Sequence, residues 1–401
     1  MITNNITNAL LGSIEHINPQ VAPENAEAYL ATIEKAQRDL EKIEPAIALL
    51  DNQPADSEIL AMVAAHQKQV VQSMVSSNPE DAIALTLAAS IEAYGKQLED
   101  IQAWTEGGAA VIGPALDIMF DSIMSNQPLT DCLLQDLFQV ALIDMMTNPD
   151  EYPGMDSLLS DPAFLEACGD IFEFTGSGAH KHPGKYGGDT TQVGDSYRVI
   201  WQKISDNVTI PPNSLAANVF SIIDDNGGID RLVDSMELDE YYTDPDGFVN
   251  WPQNQNGNYP TLTDTATHLS PFLTLTVLAN LAINSELDPE SWEAVLSGDM
   301  SKIDNVISET TSGAYDDVFE YLVATDDSFN DNPDLGWDIQ GNGVPSDYFF
   351  NLFLNFPDRQ LTDEELEEVN RIGDQVKMLQ QTLKYWLQIC RDEQMAIARN
   401  I

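Results

Sequence analysis

A mainly α-helical chain is the fold class this sequence predicts. The expected plan is an N-terminal helical hairpin, a long C-terminal coiled-coil helix, and between them a mostly helical, loop-rich middle domain. Two observations carry that expectation. Apolar residues recur at alternating three- and four-residue steps near both ends of the chain. An Asp or Asn directly before a proline recurs where such runs begin, at Asn78-Pro79, Asp161-Pro162 and Asp288-Pro289. The first residue suits a helix N-cap, and proline suits the next position, where its missing N–H costs nothing. Tyr197–Ile210 alternates enough to read as a short strand pair.

Taken in order, residues 1–23 form a leader rich in Asn, Ile, Thr and Ser, expected to be disordered. Residues 24–104 form the N-terminal hairpin or bundle. Its first seam runs from Ala26 through Tyr29, Ile33, Leu40 and Ile47 to Leu50, with Pro45 inside it as a kink or stop. A second helix is expected over about 57–76. A third follows the Asn78-Pro79 start and carries Ile83, Leu87, Ile91, Tyr94, Leu98 and Ile101. Gly107-Gly108 marks the boundary to the middle domain, residues 105–360. There, helix is expected over 109–173 with breaks at Asn126-Gln127-Pro128 and at 146–154. Further helices are expected at 214–236, at 265–283, after Asp288-Pro289 and at 313–324. Three long loops interrupt them, at 174–198, 238–264 and 325–347.

The terminal segment, 361–401, is the most strongly specified. Thr362 and Glu365 stand at the spacing of a capping box, and Leu361 and Leu366 at that of a hydrophobic staple. Acids crowd the first turn, and Arg391 and Arg399 lie towards the end, as the helix dipole favours. The seam Val369, Ile372, Val376, Leu379, Leu383, Trp386, Cys390 and Ile397 is broken once, by Glu393. So narrow a stripe on so long a helix needs a partner helix, from the same chain or from another copy, and these residues are the expected assembly seam.

Composition narrows the function. Asp and Glu number 66 against 17 Lys and Arg, a net charge of −49. Nucleic acid and anionic lipid both require a positive face, so neither is expected as a partner. Hydrophobic residues at 43 % suffice for a packed core. Cys132, Cys168 and Cys390 lie in apolar-periodic segments without CxxC spacing and read as small buried hydrophobes rather than a disulfide scaffold. The first twenty residues lack the basic and apolar regions of a cleavable signal peptide. No apolar run reaches the length of a simple membrane span. The nearest are Pro271–Ile283 and Ala109–Met124.

Motifs with chemical meaning are few. His180 and His182, with Asp189 nearby, have H-x-H spacing that can place two imidazoles on one cation, although Lys181 between them opposes it and a solvated loop is the competing reading. Asp338, Gln340, Asn342 and Gly343 follow the first half of an EF-hand loop, but its twelfth position is Phe349. Asp224–Gly227 and Asp244–Gly247 are Asp/Gly turns of the same composition. No cofactor is expected beyond a weak divalent cation at such loops. The rings of Tyr241, Tyr242, Phe248, Trp251 and Tyr259 could stack on a glycan or a protein partner, or pin their own loop to the domain. Nucleophile elbows, HExxH and Walker loops are missing from the sequence, so no catalytic residue is expected.

The leader Met1–Gln20, the seam Ala26–Leu50 and the seam Val369–Ile397, in that order, resemble type III secretion needle-tip and filament proteins. In that family a terminal coiled-coil helix builds the shaft and the assembly contact, and the middle region projects outward. The resemblance implies a non-enzymatic protein, cytoplasmic before export and then secreted or displayed at the cell surface without a cleavable signal. Its partners would be itself, other helical proteins, the secretion apparatus or a host surface. An acidic binding module that reads a glycan or protein through the aromatic loop is the alternative.

Overall fold

The computed structural model describes residues 81–178, 191–236, 267–332, 336–339 and 343–399, together with Ala31, Glu34, Lys35 and Arg38, each in helix. The leader, the first-seam residues Ala26, Tyr29, Ile33, Leu40, Ile47 and Leu50, the Asn78-Pro79 start and the loop 238–264 lie outside these residues. The chain is mainly helical. It divides into two compact units, one of Met1–Ala103 with Leu361–Ile401, the other of Trp104–Gln360.

The described part opens with α1 (Asp81–Glu106). The second unit then runs through α2 (Ala109–Ser125), α3 (Asp131–Thr147), the single turn α4 (Met155–Leu158), α5 (Pro162–Phe174), α6 (Thr191–Asn207), α7 (Leu215–Asp225) and α8 (Gly228–Asp234). After 267 come α9 (Pro271–Asn284), α10 (Pro289–Leu296), α11 (Met300–Thr310) and α12 (Val318–Thr325). A hairpin of β1 (Phe329–Asn332) and β2 (Gly336–Ile339) precedes α13 (Ser346–Leu354). The chain returns to the first unit with α14 (Asp363–Arg399).

The helix starts follow their caps. Asp161 accepts hydrogen bonds from the N–H groups of Ala163 and Phe164, and Asp288 accepts one from Ser291, each with proline next in sequence. These bonds to the ionised carboxyl hold both acids below the usual carboxylate range; for Asp161 the Lys203 ammonium is the largest cause.

Four expectations fail in this unit. Tyr197–Ile210 is not a strand pair: Thr191–Asn207 is one helix. Val193, Tyr197, Ile200 and Ile204 are buried at steps of four, three and four, so the 3.6-residue period prevails over the β-branched and aromatic content. The same helix shortens the predicted 174–198 loop, whose last eight residues are helical. The helix predicted over 313–324 begins only at Val318, because Asp317 caps it by accepting from the N–H groups of Phe319 and Glu320. The loop predicted at 325–347 contains the hairpin, in which Phe329 stands level with Ile339 and Asn330 with Asp338.

At the centre lies α3, whose residues Cys132–Met146 are buried on every side. Helices α2, α7, α8 and α9 pack around it. A helix this enclosed cannot be amphipathic, and its sequence is accordingly apolar on most faces. A second cluster is aromatic: Phe172 stacks on Phe272 at 4.7 Å, and Phe349 and Phe353 meet Phe172 edge-on. Such pairs contribute about 0.5–1.5 kcal/mol each beyond area burial. Cys132 and Cys168 are free thiols at 0 % exposure, and burial pushes the Cys168 thiol well up, away from the reactive thiolate. Among the described residues no helix is long and apolar enough to cross a membrane.

Candidate functional site

The terminal helix is the element on which the sequence places function, and its geometry begins at the cap. Thr362 Oγ1 accepts from the Glu365 N–H at 3.0 Å, and Glu365 Oε2 accepts from the Thr362 N–H at 2.8 Å. That reciprocal pair satisfies two of the donors a helix N-terminus leaves open. From there α14 runs for 37 residues, about 55 Å at 1.5 Å per residue. Within the seam, Val369, Ile372, Val376, Leu379 and Leu383 are all buried, and Trp386 is half-buried. The side chains of Cys390 and Ile397 lie outside the described residues.

In the same unit, α1 buries Ile91 and Leu98. Tyr94 between them lies within electrostatic reach of Arg371 and Glu368 on α14. Burial pushes the Tyr94 hydroxyl up, the Arg371 guanidinium opposes that, and Glu368 adds to it. Arg371 and Glu368 are themselves hydrogen-bonded one turn apart, with Arg371 Nε donating to Glu368 Oε2 at 2.8 Å. This pair holds the guanidinium above its usual pKa.

Away from the seam, α14 exposes large apolar side chains. Met378 is 49 %, Tyr385 71 % and Ile389 37 % accessible. Their spacing of seven and four places them along one line. It lies about a third of a turn round from the seam. Leu366, the expected staple residue, is 47 % exposed. A surface helix ordinarily turns polar residues outward, and the exposed Met, Tyr and Ile depart from that pattern.

The second unit contributes a polar centre that sequence reasoning missed. Asp136 on α3 accepts from Ser177 twice, from the N–H at 2.9 Å and from the hydroxyl at 2.6 Å. Gln135 accepts from the Gly176 N–H at 2.8 Å and donates to Ser235 Oγ at 2.8 Å. Gln139 donates to the carbonyls of Ile171 and Thr175 and accepts from the Phe272 N–H. The Ser177 carbonyl takes the N–H of Ser270 at 2.6 Å. Residues 175–177 are thus tied down by one face of α3 and by the start of α9. Gly176 sits at φ 88°, and a Cβ there would meet Asp136 Oδ1 at 2.4 Å. The signal available in the sequence was Gln135, Asp136 and Gln139 inside an otherwise apolar helix. Buried polar groups survive only when hydrogen-bonded, so their presence announces partners without naming them. Chemically this centre fixes a turn, with its donors and acceptors paired to one another.

The remaining predicted residues are distributed as follows. His180, His182 and Asp189 lie outside the described residues, as do Tyr241, Tyr242, Phe248, Trp251 and Tyr259. Among the described residues, no group of three or more His, Cys, Asp or Glu side chains could hold a metal ion. Phe349, at the twelfth position of the EF-hand-like run, is wholly buried in the aromatic cluster. In Asp224–Gly227, Asn226 caps the end of α7 and Gly227 at φ 112° starts α8, which is turn chemistry. An open groove of about 500 Å³ beside Leu165, Glu166, Val344 and Pro345 is mainly apolar. No family model matches the chain, and neither a curated protein nor a solved structure matches it.

Proposed function

We propose that this chain is a non-enzymatic structural protein that assembles through its helices, with α14 as the contact element. The observation that carries this reading is the combination on one helix of a closed cap, an unbroken length of 37 residues and a line of exposed apolar side chains at Met378, Tyr385 and Ile389. A rod anchored along one edge and apolar along another is suited to joining subunits, since burying such side chains between chains gains the free energy that exposure forfeits. In this reading the N-terminal segment supplies a helical hairpin beside the terminal coiled coil. Export without a cleavable signal, as in needle-tip and filament proteins, completes the proposal. The net charge of −49 supports it by keeping free subunits apart until a specific face engages.

Removal of residues 362–401 tests the reading. The expected result is loss of assembly, measured by light scattering of purified protein, or insoluble protein from the uncovered seam. A truncated chain that stays folded and assembles like the full chain overturns the proposal.

A further inference from the structure

Resting on that assembly reading, we propose that the contact is a homodimer in which two copies of α14 pair antiparallel along the exposed line, centred between Gln381 and Thr382. The line extends by three- and four-residue steps in both directions, through Glu364, Glu368 and Arg371 on one side and Asp392 on the other. Its middle is apolar and its ends are charged. A second copy running the opposite way about that centre sets Met378 level with Tyr385 of the second copy. Arg371 then stands level with Asp392, and Glu364 with position 399, an arginine. Opposite charges meet at both ends and apolar side chains meet in the middle.

The charge distribution of the helix selects this occupant. Six of the seven charged residues in 363–374 are acids, whereas four of the six in 377–399 are bases. Five of the 17 cations in the chain therefore lie in one helix. An antiparallel mate lays the acidic half of each copy on the basic half of the other and opposes the two helix dipoles. A parallel mate would stack acid on acid, an arrangement with like-charge repulsion in a chain already at −49. The groups needed are accessible: Met378 and Tyr385 are exposed, Asp392 is exposed, and Arg371 keeps 51 % of its side chain in solvent while bound to Glu368. The contact is isologous, so it closes at two copies.

Sedimentation equilibrium of the full chain over the micromolar range tests the proposal. The expected result is a monomer–dimer equilibrium, weakened at least tenfold by Met378→Glu or Tyr385→Glu with an unchanged helical circular dichroism spectrum. Arg371→Glu alone and Asp392→Arg alone should each weaken the dimer several-fold. The double exchange Arg371→Glu with Asp392→Arg should restore it, an outcome that separates pairing from damage to either helix. In a Cys390→Ser background, mixed Met378→Cys and Tyr385→Cys chains should oxidise to the 378–385 cross-link. Preferential 378–378 and 385–385 links overturn the antiparallel register. A chain that stays monomeric throughout, or dimerises with a constant indifferent to all four substitutions, overturns the proposal. In the latter case, dependence of dimerisation on residues 362–401 leaves helix-driven assembly standing.

Discussion

Ser177 gives both its backbone N–H and its hydroxyl to the single carboxylate of Asp136, at 2.9 and 2.6 Å, with all the groups buried. Replacing Asp136 with Ala leaves two buried donors without that acceptor. The expected loss is about 2–4 kcal/mol, since each uncompensated buried group costs about 1–3 kcal/mol. Urea denaturation should show a lower midpoint with an unchanged slope.

The turn held by that carboxylate depends on glycine. Gly176→Ala combines a φ of 88° with a Cβ 2.4 Å from Asp136 Oδ1, so both backbone and packing oppose it. Gly313→Ala meets only the backbone penalty, at φ 73° with nothing within 4 Å of the new carbon. Thermal melting should rank them, with Gly313→Ala costing about 1 kcal/mol and Gly176→Ala distinctly more. Equal shifts would contradict the close approach.

Asp304 makes stability depend on pH in an unusual sense. Burial, with Asp317 and Asp299 as like-charged neighbours, lifts its carboxyl to about 6, while the bond from the Val318 N–H works the other way. The folded state therefore binds this proton more tightly than the unfolded chain, whose carboxyl titrates at about 3.9. Below that value the group has no adverse effect. As pH rises towards 6 and beyond, ionisation in the fold is disfavoured and stability falls. Asp304→Asn keeps the acceptor for Val318 and removes the charge. It should raise the melting temperature at pH 7 and leave it nearly unchanged at pH 4.

The capping box should behave as a unit. Thr362→Ala and Glu365→Ala should each destabilise the start of α14 by about 0.5–2 kcal/mol. The double variant should cost less than the sum, because each single change already breaks the reciprocal pair. Amide exchange over 363–366 reads this directly, and strict additivity would argue against the geometry.

Salt should stabilise the whole chain. At a net charge of −49, compaction brings acids together, and added sodium chloride screens them over a Debye length of about 10 Å at 0.1 M. A melting temperature that rises steadily from low to molar salt is expected. A flat response would mean that the repulsion is already neutralised locally.

How legible the fold was depended on how local the cause is. Asp161-Pro162, Asp288-Pro289 and Thr362 with Glu365 announced helix starts because the bonds involved span two or three residues. Tyr197, Ile200 and Ile204 also held the helical period, which their strand-like composition obscured. Nothing in Phe329–Asn332 or Gly336–Ile339 advertised a hairpin, since Asn, Asp and Gly are poor strand formers and the pairing supplies the structure.

By itself the sequence determined the mainly helical class, the caps, the length of the terminal helix and the surplus of negative charge. These follow from intrinsic conformational preference and from neighbours within a turn or two of the backbone. The tertiary structure alone decided that α3 is enclosed on every face, that Gln135, Asp136 and Gln139 turn inward to hold residues 175–177, and which apolar residues of α14 stay in solvent. Each of those outcomes depends on groups that meet across large sequence separations, as Asp136 and Ser177 do across 41 positions, and packing rather than local preference brings them together.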